Sequence, residues 1–286
     1  MKAEIYYFSG TGNSLQIAKE IATKLPAKLT SIPDVCKSEK IKSDASVIGI
    51  VFPVYYGNLP NIIREFSKKL DLIEGKYIFV VANFGGGAGV SIREISKIII
   101  SKNGKISAKF AIQMPQNSWL KTWENREKLF EKCKLKIEKI CKSVSSLKKV
   151  RIHSNIIFDL LQITIQPLFD HLVKSHFIKI TKESKQVPLQ KLIYLTDRSF
   201  IVKENCDGCG LCSKVCPTNN IKMENSTPTW LHRCENCLAC YNFCPKKSIK
   251  VGIMQNDFYY LNPAIKLSDF IKKKSNNSAI LGDHLN

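Results

Sequence analysis

Through its first half the chain alternates short, almost wholly apolar runs with stretches in which apolar residues recur every three or four positions. The runs at 3–8, 46–52 and 77–83 are dense in Ile, Val, Phe and Tyr, as expected of strands covered on both faces. Weaker strand signals lie at 28–32 and 105–112. Between them, residues 14–25 set Leu15, Ala18, Ile21, Ala22 and Leu25 on one helical face, and 60–70 and 90–101 follow the same period. Strand, loop and amphipathic helix in repeated order predict an α/β domain with a five-stranded parallel sheet. A long, charged helical pattern from 122 to about 149 closes it.

The pattern then changes. Residues 155–169 (NIIFDLLQITIQPLF) are the longest apolar stretch, but Asp159, Gln162, Gln166 and Pro167 interrupt it. It also falls short of the roughly 20 residues that span a bilayer. It predicts a buried or docked helix within a helical connector at 150–195, or else an amphipathic helix on a membrane surface with Lys174, Lys179 and Lys182 nearby. No transmembrane segment is expected. From Asn205, cysteines, glycines and prolines recur at fixed spacing, marking a small second domain at 196–255 after a first domain at 1–149. The tail, 256–286, is polar enough beyond Pro263 to fray.

Composition adds two constraints. The opening MKAEIYYFSG has one Lys, a short apolar run and no small-residue cleavage site, so it reads as a first strand and not a secretion signal, and a cytoplasmic location is expected. Lys and Arg number 44 against 24 Asp and Glu, a formal charge of +20. The lysines are scattered, with small runs such as Lys68-Lys69, Lys148-Lys149 and Lys246-Lys247. Such a surface is solvated and attracts acidic partners. Nucleic-acid binding has only this charge in its favour.

Eight of the eleven cysteines form two copies of one pattern, C-x2-C-x2-C-x3-C-P: Cys206, Cys209, Cys212 and Cys216 ahead of Pro217, then Cys234, Cys237, Cys240 and Cys244 ahead of Pro245. Spacings of two let three sulfurs of one loop reach three corners of a cubane, while the fourth, before a proline, points elsewhere. Gly208 and Gly210 suit so tight a loop. Zinc sites pair their ligands differently, and disulfides are disfavoured without a secretion signal. The region 198–253 resembles the bacterial two-cluster ferredoxins. That resemblance implies two [4Fe–4S] clusters with crossed ligation: Cys206, Cys209, Cys212 and Cys244 on one, Cys234, Cys237, Cys240 and Cys216 on the other. Cys36, Cys133 and Cys141 lack a partner motif and are expected to pack or stay free.

The first strand runs into Phe8-Ser9-Gly10-Thr11-Gly12-Asn13-Ser14, a glycine loop opening a helix and suited to a phosphate. No Lys stands where a nucleoside-triphosphate loop needs one, and Leu15 occupies the third glycine position of a dinucleotide fingerprint. Ser9, Thr11, Asn13 and Ser14 instead supply hydroxyl and amide groups for a monoester phosphate, with Gly12 allowing close approach. The loop resembles the flavodoxin signature. What that implies is a flavodoxin-like, doubly wound sheet binding FMN. The loops after the third strand (Pro53, Tyr55, Tyr56, Gly57, Asn58) and the fourth (Asn83, Phe84, Gly85, Gly86) would then flank the isoalloxazine. Tyr55 or Tyr56 would stack on it, Phe84 would cover the other side, and the peptide at Gly57 could turn beside N5.

The whole chain, flavodoxin-like domain, connector and small α+β two-cluster ferredoxin, resembles the EFR1-family ferrodoxins of anaerobes. The expectation is an electron carrier between the clusters and FMN, linking a soluble, acidic, ferredoxin-like donor to a second redox partner. The alternative is an FMN-dependent reductase of a small molecule such as a pterin, quinone or nitro compound. No catalytic acid stands out.

Overall fold

The computed structural model describes residues 1–117, 125–150, 156–254 and 258–271, with the backbone alone at 156–163. Five parallel strands form the central sheet: β1 (Ala3–Tyr7), β2 (Lys28–Ser31), β3 (Val47–Pro53), β4 (Tyr77–Phe84) and β5 (Ile106–Gln113), in the order β2-β1-β3-β4-β5. Alternating side chains divide the core into two layers, as strand geometry demands. Ile48, Ile50 and Phe52 of β3 pack beneath α3 (Asn61–Lys69) and α4 (Ser91–Ser101). Val47 and Val51 face α1 (Asn13–Lys24) and α5 (Arg126–Ser145). A short α2 (Ile32–Val35) follows β2. This is the flavodoxin-like doubly wound sheet. Its order reverses at β1 and β3, so a crevice opens beyond their carboxyl ends.

Beyond the sheet, α6 (Ile156–Thr181) and α7 (Leu189–Leu195) precede a small cysteine-bearing unit. In that unit β6 (Ile201–Val202) pairs with β9 (Ile249–Lys250), and β7 (Ile221–Glu224) with β8 (Thr227–Trp230). The β7–β8 turn is Asn225-Ser226, both at positive φ (47° and 61°), the geometry that matches strand twist in a two-residue hairpin. The helices α8 (Leu211–Lys214) and α9 (Ala239–Phe243) each begin one residue before the third cysteine of their motif and carry the pseudo-symmetry of the two motifs.

Two regions differ from the sequence reading. From Ile156 the apolar stretch belongs to the longer α6, whose described side chains are half docked. Gln166, Val173 and Phe177 are buried, whereas Ile165, Leu168 and Leu172 are at least half exposed. Pro167 lies inside the helix without ending it. No described helix is long and apolar enough to cross a membrane. The second difference is the tail. Through Ile271 it does not fray but packs along α1: Asn262 N–H donates to the Thr11 carbonyl (2.9 Å), and Lys19 pairs with Asp269 (2.6 Å). Polar composition here reflects hydrogen bonding to α1, not solvation. The rest of the expected fraying segment, 272–286, and the start of the closing helix, 122–124, lie outside the described residues.

Gly49, at the centre of β3, lies directly opposite Phe79 of β4, and a β-carbon there would strike the Phe79 ring. Gly49→Ala is expected to cost about 1–3 kcal/mol through overpacking, read as a lower urea midpoint. An unchanged midpoint would mean that Phe79 has room to move aside.

Candidate cofactor sites

The crevice at the sheet's carboxyl end holds a cavity of about 550 Å³. Ser9, Thr11, Asn13 and Ser14 line one end. There α1 begins without a side-chain cap or an acidic residue in its first turn; Gly12 N–H donates to Ser9 Oγ (3.1 Å), and the first intrahelical donor is Gln16, bonded to Gly12 O (2.9 Å). The N–H groups of Asn13, Ser14 and Leu15 precede that first bond, and the helix dipole adds positive potential at this end. This end suits a phosphate. Gly12 itself does not line the cavity. Its φ of 107° turns the chain into α1, and a β-carbon would lie 2.7 Å from Cβ of Asn262 in the tail. The Asn13 side chain is also committed elsewhere: it donates to the Pro115 carbonyl (2.9 Å) and accepts from Tyr260 (2.6 Å) and Asn262 (2.9 Å). Asn13 thus offers a phosphate its backbone rather than its amide.

Pro53, Tyr55, Tyr56, Gly57, Asn83, Phe84, Gly85 and Gly86 line the rest, with Asn58 set back from it. Tyr55 to Asn58 form a tight turn in which Tyr56 (φ 54°) and Gly57 (φ 71°) are both left-handed. For a tyrosine this is a costly conformation. What holds it is α6. The Tyr56 carbonyl accepts from Gln166 (3.1 Å) and Asn58 (3.0 Å), and Asp170 accepts from both amides (2.8 Å each). The Gly57 carbonyl accepts from Val90 N–H (2.8 Å). The peptide expected to turn freely at Gly57 is therefore anchored at both carbonyls. Tyr55 packs edge-on against Phe8, and Tyr56 edge-on against Phe177 of α6.

Among the described residues that line this cavity, none is charged. Two buried amide oxygens in its wall, Gln116 Oε1 and Asn236 Oδ1, have no hydrogen-bond partner among the described residues. Unpaired buried acceptors await donors, and an isoalloxazine ring edge presents N–H and C=O groups that side-chain amides complement. The cavity fits FMN in its phosphate end, its aromatic lining and these orphaned acceptors.

The cysteines gather around two smaller cavities. Cys206, Cys209, Cys212 and Cys244 line one; Cys216, Cys234, Cys237 and Cys240 line the other. Each set takes three cysteines from one motif and the fourth from the other. Among the described residues no three side chains converge as a single ion requires. The sulfurs surround a space, which suits a cubane whose thiolates bind different irons. Backbone N–H groups of Asn220, Asn236 and Ser248 donate to Cys216, Cys234 and Cys244 (3.2–3.3 Å). Burial pushes the Cys212 thiol up to about 11 and Cys237 to about 12, with neighbouring cysteines adding to the effect, and holds Cys234 and Cys240 well above their usual range. At these four positions burial favours the thiol, and a bound iron would supply the positive charge that favours the thiolate. The donor set fits two clusters. Cys133 and Cys141 are buried in the core between sheet and α5, where burial also raises their thiols.

Leu238 lines both the second cysteine cavity and the flavin cavity, and Asn236, two residues before it, lines the flavin cavity. Superposing the motifs by spacing sets Gly208 against Asn236 and Gly210 against Leu238. All four are left-handed, at φ 69°, 54°, 69° and 60°. The first motif meets this demand with glycine, and the second with side chains that reach the flavin cavity. Asn236 N–H donates to Cys234 Sγ (3.3 Å), and its amide donates to the Tyr56 hydroxyl (2.9 Å). Sequence reasoning missed both residues, although the mismatch with Gly208 and Gly210 was a signal. It also missed Gln166 and Phe169 of α6 and the Pro115–Asn117 segment, for which no local signal exists. His232 is another surprise: its Nδ1 meets the fully buried Asp197 carboxylate at 2.7 Å, bracing the loop ahead of Cys234.

A flavodoxin-domain family matches residues 4–88, and a 4Fe–4S binding-domain family matches residues 200–222. Among solved structures, the chain is similar to a flavodoxin from the domain Archaea, with 17% identity over 51% of this chain and 99% of that one, and a TM-score of 0.37. It is likewise similar to the flavodoxin of Streptococcus pneumonia TIGR4, with 18% identity, 49% and 99% coverage and a TM-score of 0.32. The two-electron reduced flavodoxin of Megasphaera elsdenii shares 22% identity over 39% of this chain and 85% of its own, with a TM-score of 0.31. No curated protein matches. The parallel sheet, the end suited to a phosphate and the cysteine cavities described above agree with the two family matches: a flavodoxin domain at residues 4–88, which implies FMN, and in the same chain a 4Fe–4S binding domain at residues 200–222.

Proposed function

We propose that this protein passes electrons between two [4Fe–4S] clusters and FMN inside one chain, so that a one-electron donor is coupled to a second redox partner. One observation carries the reading: Asn236 and Leu238, inside the cysteine motif of one cavity, form part of the wall of the other. Flavin exchanges electrons in ones or twos and a cubane in ones, so neighbouring sites convert between the two modes. Electron transfer falls steeply with distance, and a single wall of side chains keeps the gap short.

The chain's own residues have separable tasks in this scheme. The N–H groups at the start of α1 and the Thr11 hydroxyl hold the phosphate. Tyr55, Tyr56 and Phe84 enclose the ring, and the uncharged lining excludes ions. Cys206, Cys209, Cys212 and Cys244 hold one cluster; Cys216, Cys234, Cys237 and Cys240 hold the other. Gln166, through the Tyr56 carbonyl, fixes the turn against which the ring packs. A second reading, reduction of a small acceptor beside the flavin, draws on Ile165 and Phe169, which give the cavity an apolar rim on α6. A flat, uncharged acceptor would suit that rim.

Anaerobic purification followed by chemical analysis tests the cofactor content. About eight irons, eight sulfides and one FMN per chain are expected; zinc, or no flavin, would sink the proposal. Gly12→Val is expected to release flavin and retain iron, because φ of 107° and the contact with Asn262 leave no space for a side chain. Cys216→Ser should damage the cluster of Cys234, Cys237 and Cys240 and spare the other, visible as the loss of one of two electron paramagnetic resonance signals. The double substitution Asn236→Gly/Leu238→Gly relieves two left-handed side chains, each costing about 1 kcal/mol. Iron content should hold while flavin binds at least tenfold more weakly in a fluorescence titration. Unchanged flavin affinity would show that the shared wall plays no part.

A further inference from the structure

The two cysteine cavities are not equivalent, and the difference has a direction. Around the second, Cys234, Cys237 and Cys240 are all buried, and the loop is covered by the flavodoxin domain: Cys237 and Ala239 belong to that domain's core, and Asn117 donates to the Cys237 carbonyl (3.3 Å). Around the first, Cys209 is exposed and Cys206 half-exposed. Its loop carries glycine at both positions where the second loop carries wall-forming side chains, and there it meets the β7–β8 hairpin, at Ser226 and Met223, and not the flavodoxin domain. Lys246, Lys247 and Lys250 are all exposed; the first two follow Pro245, and the third follows Ile249, both of which line this cavity. Of the acids in the same loops, Asp207 accepts from Cys209 N–H (3.2 Å) and is drawn to Lys246, while Glu204 is exposed. Across the loops, Glu224 pairs with Lys222 (3.0 Å).

We infer that the exposed loop of Cys206 and Cys209, rimmed by Lys246 and Lys250, is the docking surface for an acidic, one-electron carrier protein, and that the Cys216/Cys234/Cys237/Cys240 site relays between it and the flavin. The inference rests on the proposed function above and adds the place and order of entry. One electron leaves the partner's reduced centre, reduces the cluster of the exposed loop, moves to the enclosed cluster and then to FMN; no bond forms or breaks, and any proton taken up by the flavin comes from solvent. Charge supports the choice of partner. The chain carries +20 overall, and a lysine rim steers an acidic protein to one face where the exposed sulfur shortens the gap.

The test uses the cofactor-loaded full chain and, as probe, an acidic two-cluster ferredoxin reduced beforehand. Lys246→Glu/Lys250→Glu is compared with Lys148→Glu/Lys149→Glu, an exposed pair just beyond α5, beside Tyr77 at the opposite, amino-terminal end of β4. Both variants change the net charge by the same amount. At low ionic strength the first is expected to lower both the association constant, from titration calorimetry, and the second-order rate of flavin reduction about tenfold or more. The second should change each less than twofold, and all differences should shrink at high salt. Equal losses in both variants, or none in the first, would overturn the docking surface. If the glutamates disturb cluster assembly, Lys246→Gln/Lys250→Gln should show the same order of effects at smaller size, and its failure to do so counts equally against the site. Dithionite reduction, which needs no protein docking, separates the two levels. Bleaching of clusters and flavin at wild-type rates in all variants upholds the cofactor reading even where docking fails; absent bleaching in the parent protein overturns both.

Discussion

The carbonyl of Cys237 lies so close to the α-carbon of Gly10 that a β-carbon on Gly10 would collide with it and stand 2.9 Å from Cys237 Cβ. Here the turn that leads into the phosphate site touches the turn that holds the enclosed cluster site. Packing of this kind does not deform gradually; interiors are close to crystalline in density. A side chain at residue 10 would wedge the two domains apart, and the shared wall of Asn236 and Leu238 would open with it. Gly10 therefore serves the interface between the domains, while Gly12 serves the entry into α1.

Around that contact the chain adds ties that hold the second cysteine loop against the sheet. Glu235, almost wholly buried, reaches the backbone N–H groups of Asn61 and Ile62 at the start of α3, and burial pushes its carboxyl up to about 8 despite them. On the other side, α6 and the tail close the structure, the former through Gln166 and Phe177 and the latter through Tyr260 and Asn262. Tyr259 stacks on Tyr241 of α9 at 4.5 Å. The connector and tail thus act as two clamps on one joint. That arrangement explains why segments without recognisable motifs take up so much of the chain.

How much of this was legible depends on the range of each interaction. The five strands and helices α1, α3 and α4 stand within a residue or two of their expected ends, because binary patterning over a buried parallel sheet is a local signal, whereas α5 stops at Ser145, about four residues early, and the short α2 had no expectation. The phosphate loop and cysteine spacings were legible because a ligand imposes residue type at fixed intervals. The clamps were not. Gln166 and Asp170 occupy a stretch whose apolar content suggested burial alone, and their contact with Tyr56 and Asn58 spans more than a hundred residues. Asp269 meets Lys19 across an even longer interval, so the polarity of the tail beyond Pro263 suggested solvent. Leu238 is disguised in another way: leucine is a poor choice for a left-handed position, and only the repeat reveals that the backbone there must be left-handed.

The unequal treatment of the two cysteine loops also bears on durability. Small oxidants reach buried sulfur slowly and exposed sulfur quickly. Cys209 faces solvent, whereas Cys234, Cys237 and Cys240 lie beneath the flavodoxin domain and α7. In air the protein would thus decay from one end, losing the glycine-lined cluster first and keeping for a time a core of flavin and enclosed cluster cut off from its supply.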